Sequence, residues 1–404
     1  MIRLNKINMQ INKKILGITE NITLIHFLVM FGYKLFSLYF PLFLIQKNFS
    51  IIEIGYTNFL IYLSIAVSAP LVGYLNHKIK PYILISLGVL GYGVYSFLMI
   101  TSISFFWFYL SQILLGISAA LFFVSSRNIL MGTNQKKADG AFAWFYSAPS
   151  YADAIAPVLG ALIIWKFGFF GVFGVALIIQ LIASFYAYFS LKGKPLGIME
   201  DVSLKTSALK YKEIRNSMKL KGAGIFIFIS FLVLIIAGFN NTFFILFLKS
   251  LNWTQDQILI FNSLVSLAFL PISFVIAKRI NKSSSEQNIC LGSSAVGLFS
   301  ILLGGLANIL NFYSVFIISL SQSVGGLITS SGRSGLMSAK LKKYKEESAA
   351  IDTIFSPLST AFGALLGGFL IASFDYSFIF MTGGLIILFF SLTGQYFFRK
   401  RSLR

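Results

Sequence analysis

Apolar runs of roughly 20 residues follow one another along the whole chain, separated by short polar or turn-rich links. A run of about 20 apolar residues is what a helix needs to cross the hydrocarbon core of a bilayer. Twelve runs are visible. They lie near 23–46, 52–75, 82–101, 104–130, 141–164 and 168–190 in the first half, and near 223–248, 256–278, 288–308, 311–332, 349–373 and 376–398 in the second. They are too long for barrel strands and do not alternate apolar with polar positions, so they predict helices. The pattern predicts an all-α integral membrane protein of 12 transmembrane helices. Its expected organisation is a six-helix bundle over 1–191, a linker over 192–222 and a second six-helix bundle over 223–404.

Composition strengthens this reading. The 404 residues are 57% hydrophobic and 11% charged, with a mean hydropathy of +0.82. A soluble domain carries roughly 25% charged residues, so this chain cannot cover a water-facing surface of its size. The net charge of +20 would suit nucleic acid if the basic residues were scattered or clustered on a soluble face, but they are sorted by side. Of the 33 lysines and arginines, 29 fall at the termini and the even-numbered interhelical links. Three (Lys47, Lys166 and Lys249) fall on the opposite side, and Lys34 lies inside a span. Positive residues mark the cytoplasmic side. The expectation is a multi-pass protein of the plasma or inner membrane with both termini cytoplasmic. The linker holds eight lysines and arginines, and near anionic headgroups each is worth about 1 kcal/mol. Residues 1–14 are basic without an apolar core, unlike a cleaved signal peptide. Cys290 is the single cysteine, so no intrachain disulfide forms.

The halves repeat one another. Phe40-Pro41-Leu42-Phe43-Leu44, Asn48-Phe49-Ser50 and Ile54 correspond at an offset of 204 to Phe244-Ile245-Leu246-Phe247-Leu248, Asn252-Trp253-Thr254 and Ile258. Asn58 and Asn262, and Lys78 and Lys282, keep that offset. With small gaps, Leu110-Ser111-Gln112 and Gly116 correspond to Leu320-Ser321-Gln322 and Gly326. Arg127-Leu130-Met131 likewise corresponds to Arg333-Leu336-Met337. Apolar composition alone would match Leu and Phe by chance, but not Asn, Gln and Arg. Six spans per half give the two repeats the same orientation, an arrangement found in secondary transporters with the site at the repeat interface.

The chain resembles the major facilitator superfamily over essentially its whole length: six plus six helices and a basic central link. After the second span the family has G-x-x-x-D-R-x-G-R-R. Here Gly73-Tyr74-Leu75-Asn76-His77-Lys78-Ile79-Lys80-Pro81 keeps the glycine and a basic residue, but His77 stands where the family has aspartate. In the fourth span Gln112 stands four residues before Gly116, where many members carry arginine. Ala156-Pro157-Val158-Leu159-Gly160-Ala161 resembles the G-P-x-x-G-G segment of proton-coupled exporters, as does the closing Trp165-Lys166-Phe167-Gly168-Phe169. The resemblance implies two pseudo-symmetric six-helix bundles that move a small molecule by alternating access. It further implies gating roles for Gly73, His77, Lys78, Pro157 and Gly160.

Ionisable residues inside a membrane cost about 2.5–3.5 kcal/mol and face protein or water. Lys34 and Asp153 fall near the middle of the first and fifth spans at similar depth, and are expected within reach of each other. They read as a coupling or substrate-binding pair, against the alternative of an inert clasp between two helices. The second half offers Gly238, Asn240 and Asn241 instead. His26, two turns before Lys34, is either a titrating group or a neutral hydrogen-bonded one. Gln112 and Gln322 are candidates for substrate binding or for bonds between helices. Arg127 and Arg333, at the cytoplasmic ends of spans four and ten, are expected to snorkel or to make gate contacts. Two histidines and one cysteine make no metal cluster, and no nucleotide loop or nucleophile elbow is present. An enzyme is not expected, nor a cofactor, and nothing requires more than a monomer. The expected function is secondary transport of a small molecule, with protons as the coupling ion and export of amphipathic compounds. The alternatives are import or exchange of a small anionic metabolite, and a lipid flippase or non-transporting receptor.

Overall fold

The computed structural model describes residues 2–49, 51–101, 105–132, 138–194, 206, 209–214, 223–341 and 344–402. The first half contains α1 (Ile2–Ser37), α2 (Phe40–Gln46), α3 (Ile51–Lys78), α4 (Pro81–Thr101), α5 (Phe105–Gly132) and α6 (Ala138–Leu191). The second contains α7 (Gly224–Ser250), α8 (Gln255–Arg279), α9 (Ser285–Gly305), α10 (Phe312–Lys340), α11 (Lys345–Ser373) and α12 (Tyr376–Ser402). Among the described residues, nine helical stretches are long and apolar enough to cross a membrane. One of them, α6, folds into two, and α1 and α11 complete twelve spans in two six-helix bundles.

Two departures from the expected boundaries have local causes. The first span is not one helix. Pro41 has no N–H to give the Ser37 carbonyl, so α1 stops at Ser37 and α2 starts afresh at Phe40. The second half has Ile245 at that position, and α7 runs unbroken. Conversely, the fifth and sixth spans are fused into α6 and separated only at Gly168, with φ 67° and ψ −173°. Glycine alone adopts that backbone without strain. Of the predicted linker, residues 192–194, 206 and 209–214 are described, and 209–214 is helical. Its remaining residues lie outside the described part of the chain.

The repeat is visible in the backbone. Among the described residues, Asn48 and Asn252, 204 positions apart, are the two non-glycine residues with positive φ, both at 62°. Each is followed by an N–H that reaches back to a helical carbonyl: Phe49 to Leu44 at 3.0 Å and Trp253 to Leu248 at 3.3 Å. This is a left-handed helix cap, and asparagine tolerates that conformation better than most residues.

Between lipid-soaked helices there is no hydrophobic drive to associate, so close packing of small residues does the work. At Gly160 an added Cβ would run into the Leu35 carbonyl, and at Gly363 into the Ile235 carbonyl. The α1–α6 and α7–α11 crossings are therefore built alike, one in each half. Gly88 sits on Ser118 and Phe122, and Gly292 sits on Gly325 and Thr329. The larger apolar core joins the halves, since Leu130, Phe142 and Met131 share it with Leu336, Met337 and Ala350. A second core, with Phe239, Phe247, Leu303 and Phe380, belongs to the second half alone.

Candidate functional site

The site has two levels. At mid-bundle, Lys34 Nζ lies 3.0 Å from Asp153 Oδ1, and each side chain is about a third exposed, at 30% and 33%. Lys34 is placed by the last turn of α1, just before the break at Pro41. Asp153 lies on the α6 face that carries Gly160 and meets α1. Exposed Ile155, Val158, Leu159 and Leu162 form a stripe on the other side of that helix, by helical spacing. The carboxylate is thus turned into the protein. Pro157, one turn on, has no N–H for the Asp153 carbonyl, and Tyr39 O–H donates to the Pro157 carbonyl at 2.8 Å.

His26 is buried, at a distance from this pair along α1. Its Nδ1 lies 2.7 Å from the Phe145 carbonyl, and because a carbonyl only accepts, Nδ1 carries the proton. Phe145 is four residues before Pro149, whose ring nitrogen has no hydrogen to give that carbonyl. His26 repairs the bond the proline removes. Its ring stacks on Phe145 at 4.2 Å and touches Phe122 and Phe123. This is a helix-fastening role.

The two glutamines differ. Gln112 is fully buried within the first half, where it accepts from Tyr95 O–H at 3.3 Å and donates to the Phe108 carbonyl. Gln322 links three helices of the second half, donating to Ser300 Oγ at 3.0 Å and accepting from Asn240 Nδ2 at 3.4 Å. The Asn240 Oδ1 is buried without a hydrogen-bond partner, and Asn241 is exposed. Gly238, where the repeat places the counterpart of Lys34, packs on the Thr360 backbone. A lysine does not fit at that crossing.

The second level seals the end of the bundle that carries the even-numbered links. Asp352 of α11 is its centre. Arg333 Nε donates to Oδ1 at 2.8 Å. Ser334 Oγ and Tyr146 O–H donate to Oδ2 at 2.6 and 3.0 Å. Arg127 Nε lies 3.4 Å from Oδ2. Arg127 and Tyr146 come from the first half and the rest from the second. Beside this cluster, His77 Nε2 meets Glu347 Oε1 at 2.9 Å. Asp139, at the start of α6, accepts from Ser285 Oγ at 2.9 Å and Asn288 Nδ2 at 2.7 Å. Gly140 N–H donates to Asn281 Oδ1, and Ser338 Oγ to the Met131 carbonyl. Gly335 has no room for a Cβ because Asp139 occupies it. Apart from those of Arg333 and Ser334 with Asp352, these contacts cross between the halves. The closure is itself repeated: the start of α6 engages Asn281 after α8 through the Gly140 N–H and the first turn of α9 through Asp139, as Glu347 engages the end of α3, and Asn281 stands 204 positions after His77.

Snorkelling does not describe Arg127 and Arg333, which are 4% and 1% exposed. Asp352 draws both inward. Gly73 is buried inside α3, one turn before His77, and Lys78 ends that helix half-buried. Asp352, Glu347, Asp139 and Tyr146 were not singled out from sequence. The signal was present: Asp139 and Glu347 each stand two residues ahead of the fifth span of their half, and Asp352 lies inside the eleventh.

Residues 22–351 match the sequence profile of the Major Facilitator Superfamily. No curated protein sequence matches the chain. The human organic anion transporter MFSD10 (TETRAN) superposes with a TM-score of 0.76 at 14% identity, over 94% of this chain and 99% of that one. A POT family transporter in complex with a thioalcohol conjugated peptide gives 0.71 at 15%, over 95% and 96%. The E. coli fucose:proton symporter FucP gives 0.70 at 12%, over 93% and 98%. At these identities the likeness is one of fold.

Proposed function

The chain belongs to the major facilitator superfamily and has the fold of a membrane transporter, and we propose that it is a proton-coupled secondary transporter that exports amphipathic organic molecules. One observation carries the proposal: a lysine–aspartate pair at mid-bundle, 3.0 Å apart and partly exposed, above an end sealed by cross-half ion pairs. With Asp153 ionised, the pair is neutral and holds α1 against α6. A proton on Asp153 dissolves it and leaves one positive charge without its partner at mid-bundle. A change of that size alters which arrangement of the halves is favoured. The halves, 1–191 and 223–404, rock about the site. The basic end is the cytoplasmic one, by the positive-inside distribution, so the described state is closed to the cytoplasm. Proton entry from outside and substrate entry from inside then exclude each other at Asp153, which is antiport.

A second reading is transport of an organic anion. Lys34, once released from Asp153, offers a seat for a carboxylate, and one protein of similar fold is described as an organic anion transporter. Proteoliposomes under a pH gradient separate the readings, with a fluorescent amphipathic cation and a fluorescent organic anion as probes. The first predicts gradient-driven movement of the cation that Asp153→Asn abolishes. Movement of the anion alone, lost in Lys34→Gln, supports the second. Driven movement that survives Asp153→Asn unchanged refutes the coupling role.

A further inference from the structure

We propose that the buried cluster of Arg127, Arg333 and Asp352 is a binding site for a small monovalent anion. Two guanidinium groups face one carboxylate, so the cluster carries one uncompensated positive charge in the protein interior. Arg333 Nε takes Oδ1, while Ser334 and Tyr146 take Oδ2. Arg127 reaches Oδ2 only at 3.4 Å, without the alignment of a hydrogen bond. Among the described residues, Arg127 Nε and Nη1 and Arg333 Nη1 are buried donors with no hydrogen-bond acceptor. Such groups are rare and costly when left unsatisfied.

The surroundings narrow the class of ligand. The Arg127 guanidinium lies 5.5 Å from the ring centres of Phe123 and Tyr146, and that of Arg333 lies 5.9 Å from Phe355. Ring faces attract a cation but accept no strong hydrogen bond. Water would satisfy the donors but leave the charge. One small anion satisfies both, and a second negative charge would overshoot. Arg127 belongs to the first half and Arg333 to the second, so an anion between them clamps the sealed end. The site is separate from the Lys34–Asp153 pair, and its occupancy sets how readily the transporter opens to the basic side.

The probe is chloride. The full-length protein in detergent is heated in sodium chloride and in sodium gluconate at equal ionic strength, gluconate being too large for a buried site. Chloride should raise the melting temperature saturably, as a ligand of the folded state does. Arg127→Gln should lose this response. Asp352→Asn removes the competing carboxylate and should tighten apparent chloride affinity roughly tenfold, or make folding depend on chloride. Should Arg127→Gln not fold, Arg127→Lys, which keeps the charge but not the planar donors, must weaken chloride several-fold. Identical melting in the two salts overturns the proposal, as does a chloride response that survives unchanged in the Arg127 variant that folds.

Discussion

His77 Nε2 and Glu347 Oε1 stand 2.9 Å apart across the boundary between the two halves, and neither side chain is exposed beyond 2%. Lys210, from the helical segment at 209–214, adds an ammonium group at 3.6 Å from the same oxygen. Where the superfamily has an acidic residue after the second helix, this chain has a histidine, and the acid is on the eleventh helix instead.

If this contact holds the basic end shut, His77→Ala will loosen it. Removing one partner of a buried charged pair leaves the other uncompensated and costs more than the pair contributes. The expected outcome is more frequent opening at that end. Ser348, buried beside Glu347 at 1% exposure, is the reporter. In a Cys290→Ser background, Ser348→Cys should react with a membrane-impermeant maleimide several-fold faster when His77 is replaced. Equal rates would show that the pair is not a lock.

The same pair gives the stability a pH dependence. Burial pushes the Glu347 carboxyl up. The hydrogen bond from His77, its own backbone N–H and the charges of His77 and Lys210 outweigh that and hold it below its ordinary 4.5. A carboxyl depressed in the folded state contributes stability that is present above its unfolded value. That contribution is lost as pH falls through the folded value. The melting temperature of the wild type should exceed that of Glu347→Gln by a constant amount above about pH 5. The gap should close below 4.5. A gap that does not narrow at any pH below 4.5 at which the protein stays folded would mean that Glu347 acts by shape alone.

Gly160 tests the packing that carries the site. A methyl group there meets the Leu35 carbonyl, one residue from Lys34. Gly160→Ala must push α6 away from α1, with an expected loss of about 1–3 kcal/mol, read as a lower midpoint of thermal unfolding. Gly363→Ala, at the equivalent crossing in the second half, should cost a similar amount while leaving the Lys34–Asp153 distance unchanged. Gly174, which has open space around it, is the control and should tolerate alanine.

Particular residues show which parts of this structure could be read from sequence. The apolar runs and the sorted basic residues specify spans because a bilayer admits little else. The Asn48 and Asn252 matches mark a repeat because a left-handed cap selects asparagine at one place in each half. Lys34 and Asp153 stand out because charges inside spans are rare. Asp352 was masked by its position three residues into the eleventh span, among the polar residues of a helix end. Of its arginine partners, Arg333 stands on the preceding helix, but Arg127 comes from the other half of the chain, and only folding brings the three together. His26 leaves two readings open in sequence, and its buried bond to the carbonyl that Pro149 leaves free supports the hydrogen-bonded one. The break after Ser37 was legible in Pro41 but hidden by the continuous apolar run.

The Lys34–Asp153 pair can be tested apart from any substrate. If it is an inert clasp, removing both charges together should restore function along with stability. If it couples protons, it should restore stability alone. Asp153→Asn leaves Lys34 without its partner, and Lys34→Met leaves Asp153. Because each side chain is about a third exposed, solvent screens part of the loss, and each single change should cost about 1 kcal/mol rather than the 3–5 of a sealed pair. Lys34→Met with Asp153→Leu removes both charges and keeps the packing, and its melting temperature should return to within a few degrees of the wild type. Gradient-driven transport should nevertheless be absent in all three variants, while downhill exchange of the transported probe persists. A double variant that regains driven transport would leave the pair as a fastener between α1 and α6 and move the search for the proton site elsewhere.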